Sequence, residues 1–246
     1  MDYSYLSNIG KKRTMNQDYV KVFKNLQNVL LFLLADGMGG HQAGDVASKL
    51  TVETLGERWQ ATNFETGEAI AEWLDAEIKQ LNSLVFEEGQ KDAFRGMGTT
   101  IEALCIFGCE LILAHVGDSR SYLLRSDTLI QITEDHSLVN ELRLLGEITA
   151  EEASHHPRKN IITRSVGMPN DLNVDIIQRT VQSNDLFLIC SDGLSNMLSD
   201  EEILKLLVSS ETLEEKAEHL INQANENGGL DNITVLLIKV PEVNYD

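Results

Sequence analysis

The sequence predicts an α+β fold in which two antiparallel sheets pack together and are covered by helices. Three observations carry this. Short runs rich in Leu, Ile and Val recur along the chain, of strand length rather than helix length. Tight-turn signals join several of them directly, which suits antiparallel pairing. Helical stretches come in pairs before and after the central strands, without a regular βα rhythm.

Taken in order, an early strand is expected near 21–23. Residues 29–35 are seven consecutive apolar residues. They suit a strand covered on both faces and fall far short of the roughly 20 residues needed to cross a bilayer. The stretch 44–59 is expected as a helix, with Val46, Ala47, Leu50 and Leu55 at helical spacing. A second helix covers 68–87, where Ile70, Trp73, Leu74, Leu81 and Val85 form a core stripe. Strands at 99–107, 111–116, 121–125 and 129–132 then form an antiparallel meander, with a turn at Gly108-Cys109-Glu110. Residues 137–168 are polar, with amphipathic pieces near 138–145 and 149–153, and form an inserted flap-like excursion above the sheet. Strand 186–190, helices 200–207 and 213–225, and a closing strand 232–240 complete the chain. No linker, repeat or low-complexity tract interrupts it, so 1–246 is expected to be one domain.

The formal charge is −19, from 39 acidic against 20 basic residues. That argues against nucleic acid or an anionic membrane surface as the main partner, since both need a basic footprint. The three cysteines, Cys105, Cys109 and Cys190, lie in or beside apolar runs. An odd count with no secretion signal suggests reduced, buried thiols in a cytoplasmic protein.

Aspartates stand at strand ends or beside glycines in Asn16-Gln17-Asp18, Ala35-Asp36-Gly37, Gly117-Asp118-Ser119, Ser191-Asp192-Gly193 and Asp231-Asn232. A single Asp-Gly is ordinarily a turn. Repetition after three buried runs points instead to carboxylates delivered to one place, where they would repel one another unless a cation sits among them. Carboxylates favour Mg²⁺ or Mn²⁺ over softer metals.

Seven segments in order resemble the metal-dependent protein Ser/Thr phosphatases of type 2C, above all their compact bacterial members. They are Arg13-x-x-Asn16-Gln17-Asp18, Ala35-Asp36-Gly37-Met38-Gly39-Gly40-His41, Gly96-Met97-Gly98-Thr99-Thr100, Val116-Gly117-Asp118-Ser119-Arg120, Asp135-His136-Ser137-Leu138, Cys190-Ser191-Asp192-Gly193 and Asp231-Asn232-Ile233-Thr234-Val235. The resemblance spans about residues 5–240. Two departures stand out: Gln17 replaces a Glu found in many relatives, and His155-His156 doubles a single His before Pro157.

The resemblance implies a central β-sandwich flanked by helical layers, with the metal site at one end. It implies two Mn²⁺ or Mg²⁺ bridged by Asp36. The Gly37 carbonyl completes one ion, and Asp192 and Asp231 hold the other. Asp118, shared with Asp192, supports a third, weaker metal, and Asp18 orders metal-bound water. Arg13 grips the substrate phosphate, which a guanidinium matches with paired hydrogen bonds. His41 is the general acid for the leaving Ser or Thr oxygen. His115 is expected to be a packing residue. His136 is expected to anchor the start of the excursion.

The implied activity is hydrolysis of phosphoserine and phosphothreonine by attack of a metal-bridging water. The partners are phosphoproteins and a cognate bacterial Ser/Thr kinase, with no membrane insertion and a monomeric state. A catalytically inactive phosphatase-like binding module is the alternative, opposed by the presence of every metal-site aspartate. No Gly-x-Ser-x-Gly elbow supports a serine hydrolase. The glycine-rich 37–41 segment lacks the Gly-Lys-Ser/Thr ending of a P-loop.

Overall fold

The computed structural model describes residues 1–39, 43–169 and 171–242. The chain opens with strands β1 (Asp2–Asn8), β2 (Asp18–Lys24) and β3 (Leu30–Met38). Helices α1 (Ala43–Gln60) and α2 (Gly67–Glu88) follow. Next come β4 (Gly98–Thr99), β5 (Ile101–Phe107), β6 (Glu110–Val116), β7 (Arg120–Arg125) and β8 (Thr128–Gln131). Short helices α3 (Leu138–Leu144) and α4 (Ala150–Ser154) lie in the polar excursion. Strands β9 (Asp175–Thr180) and β10 (Leu186–Cys190), helices α5 (Asp192–Ser195), α6 (Asp200–Leu207) and α7 (Leu213–Glu226), and strand β11 (Ile233–Lys239) complete the order.

The strands form two antiparallel sheets, β1-β11-β10-β7-β8 and β2-β3-β5-β6-β9, with β4 paired to β3. Alternating side chains build three apolar layers. In β3, Leu31, Leu33 and Ala35 pack with Leu55, Trp59, Leu74 and Leu81 of α1 and α2. Phe32 and Leu34 point the other way, into the space between the sheets, where Phe187, Ile189, Leu236 and Ile238 meet them. The opposite residues of those strands, Leu188, Val235 and Leu237, pack with Ile203 of α6 and Leu220 of α7. Burial on both faces explains why these strands are continuous apolar runs. Ser199 with Glu202 and Thr212 with Glu215 form capping boxes at the starts of α6 and α7, each cap contributing about 1 kcal/mol.

The structure corrects the sequence reading in several places. The meander is split: β5 and β6 belong to one sheet, β7 and β8 to the other. The change of sheet occurs at Gly117-Asp118-Ser119. Strands β1 and β9 went unrecognised; both are sheet edges with much exposed surface, so neither carries a strong apolar signal. Cys105 and Cys190 are buried free thiols as expected, whereas Cys109 is exposed in the turn before β6.

The excursion 137–168 is closed at its base. Leu138 N–H donates to the Ile161 carbonyl at 2.9 Å, and Thr163 N–H donates to the His136 carbonyl at 2.8 Å.

Candidate metal centre

Pairing of β2 with β3 sets Asp18 opposite Asp36 in register. Asp36 does not end its strand, because β3 continues to Met38 and Gly37 pairs with Thr99. The glycine serves close packing rather than a turn: a side-chain carbon at Gly37 would lie 2.0 Å from the Gly44 carbonyl oxygen of α1. Thr100, between β4 and β5, fixes Asp36. Its Oγ1 accepts the Asp36 N–H at 2.9 Å, and its N–H donates to the Asp36 carbonyl at 2.9 Å.

Asp18 ties this sheet to the other. Its Oδ2 accepts from Ser191 Oγ at 2.7 Å and from Thr234 Oγ1 at 2.6 Å. Ser191 leads into Asp192, which opens α5 instead of making a turn. Asn196 Nδ2 donates to Asp192 Oδ2 at 2.9 Å.

Asp118 sits in the crossing from β6 to β7. Gly117 there has φ +120°, and a side-chain carbon would meet Thr100 at 2.5 Å, so only glycine fits. Ser119 Oγ and Thr100 Oγ1 are 2.8 Å apart, which couples the Asp118 crossing to the Asp36 strand.

The segment between β1 and β2 carries Arg13 and is pinned by Asn232. That side chain accepts from Gln17 N–H at 2.8 Å and donates to the carbonyls of Ile9 at 3.0 Å and Met15 at 2.9 Å. Arg13 Nη2 thereby reaches Asp231 Oδ2 at 2.6 Å.

The acidic groups act on one another. Burial, then the charges of Asp18, Asp192, Asp118 and Asp231, push the Asp36 carboxyl well above the usual carboxylate range. Asp192 is raised the same way, by burial and then by Asp118, Asp231 and Asp18. Asp18 rises to about 6, chiefly through burial, against the hydrogen bonds of Thr234 and Ser191. Asp118 also rises to about 6, through burial and then Asp135, opposed by its backbone, Arg120 and His115. Asp18, Asp36, Asp118, Asp192 and Asp231 are thus near enough for their charges to act on one another.

That donor set suits a hard divalent cation, whose charge would reverse every one of these shifts. The buried Asp18 Oδ1, which has no hydrogen-bond partner among the described residues, fits the same chemistry. Among the described residues no group of three or more His, Cys, Asp or Glu side chains stands ready-made around a single ion position.

Most of the sequence-predicted residues thus converge: Asp18, Asp36, Gly37, Asp118, Asp192, Asp231 and Arg13. His41 lies outside the described residues. Sequence reasoning assigned no role to Thr100, Ser119, Ser191 or Thr234, the hydroxyls that hold the aspartates. Ser119 and Ser191 adjoin site aspartates in the quoted motifs, whereas Thr100 and Thr234 carry no such local signal. His115 is more than packing: its Nδ1 pairs with the buried Glu102 carboxylate, and its Nε2 donates to the Glu134 carbonyl at 3.0 Å.

Known proteins resemble this chain over nearly its whole length. The family model described as protein phosphatase 2C matches residues 9–234. The chain is 45% identical to protein phosphatase PhpP of Streptococcus pneumoniae, over 98% of each chain. The structure of the S. agalactiae serine/threonine phosphatase superposes with TM-score 0.95 at 46% identity, covering 97% of this chain and 99% of that one. The catalytic domain of serine/threonine protein phosphatase PstP in complex with two manganese ions gives TM-score 0.85 at 37% identity, covering 97% and 98%.

Proposed function

We propose how this chain works from one premise: it belongs to the protein phosphatase 2C family and is a metal-dependent protein serine/threonine phosphatase. The observation that supports the finer reading is that Asp18 stands opposite Asp36 in register while its Oδ2 accepts from Ser191 and Thr234, the neighbours of Asp192 and Asp231 in the other sheet. In this reading Asp36, the Gly37 carbonyl, Asp192 and Asp231 would hold two Mn²⁺ or Mg²⁺ ions, and Asp118 with Asp192 would hold a third, weaker one. Bound there, the ions would supply an activated water and neutralise the phosphoryl oxygens.

The chain's own residues supply the rest. Arg13 is half-exposed and leaves Asp231 for two oxygens of the substrate phosphate. Asp18 is locked through Oδ2 by Ser191 and Thr234, which leaves Oδ1 to orient a water of the site. His41 protonates the departing Ser or Thr oxygen. The segment 137–168 acts as a flap. It borders a cavity of about 350 Å³ whose lining includes Asp118, Asp192, Asn140, Arg143 and Lys159, and a substrate segment lies there. The whole chain works as one catalytic domain and as a monomer in the cytoplasm, opposing a Ser/Thr kinase. No helix among the described residues is long and apolar enough to cross a membrane. The inactive-module reading has no observation in its favour.

The test is hydrolysis of a phosphothreonine peptide by chelator-treated protein, with Mn²⁺ restored, in ¹⁸O-labelled water. Turnover that returns with Mn²⁺ and places one label in each released phosphate, with no phosphoprotein trapped on rapid quenching, supports direct attack by water at phosphorus. A trapped phosphoprotein intermediate would overturn it.

A further inference from the structure

His136 is 3% exposed and takes part in no step above. Its contacts meet at Gly117. The His136 N–H donates to the Gly117 carbonyl at 2.7 Å, and the ring Nδ1 accepts the Gly117 N–H at 3.0 Å. One residue therefore holds both backbone polar groups of the glycine that precedes Asp118. With Nδ1 accepting, the ring proton lies on Nε2, which donates to Asp175 Oδ2 at 3.1 Å. Arg164 Nη1 donates to the other Asp175 oxygen at 2.8 Å. His136 thus stands where the Asp118 crossing, the first residue of β9 and the base of the flap meet.

A histidine that merely filled the core would not need this arrangement. The Gly117 crossing leaves one sheet for the other and lacks a strand partner. Its course is set by Thr100 on one side and by His136 on the other.

We propose that His136 is the positioning residue for Asp118: it fixes the Gly117-Asp118 crossing so that the carboxylate joins Asp192, and it links that setting to the flap through Asp175 and Arg164. The inference rests on the reading of Asp118 as a ligand of the weaker metal.

Two substitutions separate the two ends of the ring. In His136→Asn the amide oxygen stands near the Nδ1 position and still accepts from Gly117. In His136→Gln the amide nitrogen reaches the Nε2 position and donates to Asp175, while the Gly117 N–H loses its acceptor. Mn²⁺ binding is measured by calorimetry on both variants and on Asp118→Asn, with thermal melting as the control for fold. The expected result is loss of the weakest Mn²⁺ site, by about 10- to 100-fold, in His136→Gln. His136→Asn, which keeps the Gly117 acceptor and loses only the Asp175 contact, should weaken the same site by less. His136→Gln should add nothing in the Asp118→Asn background.

Unchanged Mn²⁺ binding in His136→Gln overturns the proposal, as does equal weakening in both variants in step with their melting temperatures. If Asp118→Asn alone leaves Mn²⁺ binding intact, the Asp118 reading falls and takes this inference with it. Should His136→Gln fail to fold, Asp175→Ala carries the test: weakening confined to the same site supports the link, and its absence overturns it.

Discussion

Arg13 Nη2 stands 2.6 Å from Asp231 Oδ2, so the guanidinium assigned to the substrate phosphate rests on a carboxylate assigned to a metal. Both side chains are partly exposed, and such a pair contributes little to stability, about 0–1 kcal/mol. The guanidinium is therefore held in place yet cheap to release. A phosphate arriving beside Asp231 competes for the same donors.

Replacing Arg13 with Lys keeps the charge and removes the paired donors. The KM for a phosphothreonine peptide should rise about tenfold, equivalent to roughly 1.4 kcal/mol of lost phosphate binding. The melting temperature should barely move, because an exposed pair is being altered. Steady-state kinetics beside a thermal melt check both halves, and an unchanged KM would remove Arg13 from the phosphate site.

Arg143 and Lys159 line the cavity between the flap and the aspartates, and neither forms an ion pair among the described residues. In a chain of net charge −19 this is a favourable place for an acidic substrate side chain. The double variant Arg143→Ala/Lys159→Ala should lose efficiency toward a phosphopeptide with acidic neighbours by about tenfold. Hydrolysis of p-nitrophenyl phosphate, which has no neighbours, should be unaffected. Equal losses on both substrates would place these cations in the chemistry instead.

Much of the fold was legible because burial on both faces writes a continuous apolar run, as in β3 and β10. Helices α1 and α2 announced themselves through apolar spacing. Strand β1 did not, because its Tyr3, Tyr5 and Leu6 are exposed on an edge. The change of sheet at Gly117 was hidden because a tight turn within a sheet and a crossing between sheets share the same residues. The site aspartates were visible by their repetition beside glycines. The hydroxyls that hold them were not, since Thr100 and Thr234 act across strands whose register no local pattern reports.

His115 and His136 offer a pH test, with ring centroids 4.5 Å apart and opposite tendencies. Burial, then the neighbouring His115 charge, lowers His136 to about 4, against the pull of Asp175. Burial also disfavours a charged His115, but the Glu102 carboxylate and the Glu134 carbonyl outweigh it and raise its pKa. For His136 the unfolded chain binds a proton below the ordinary value of about 6.5, whereas the folded chain does not until about 4. Its contribution is thus complete above about pH 6.5 and is lost between there and about pH 4, on the order of 3 kcal/mol. His115 has the opposite sign, contributing below its unfolded pKa and losing that contribution as pH rises through its raised folded value. Ring-nitrogen NMR should show His136 untitrated from about pH 5 to 7.5. A transition centred near 6.5 would contradict the assignment.

The most direct measurement is anomalous diffraction from crystals grown with Mn²⁺, for the wild type and for Asp36→Asn. Two strong Mn²⁺ peaks are expected in the wild type, both touching Asp36, with Gly37 on one and Asp192 and Asp231 on the other. Asp36→Asn should lose the pair. Wild-type peaks away from these aspartates, or a pair that survives in Asp36→Asn, would contradict this placement.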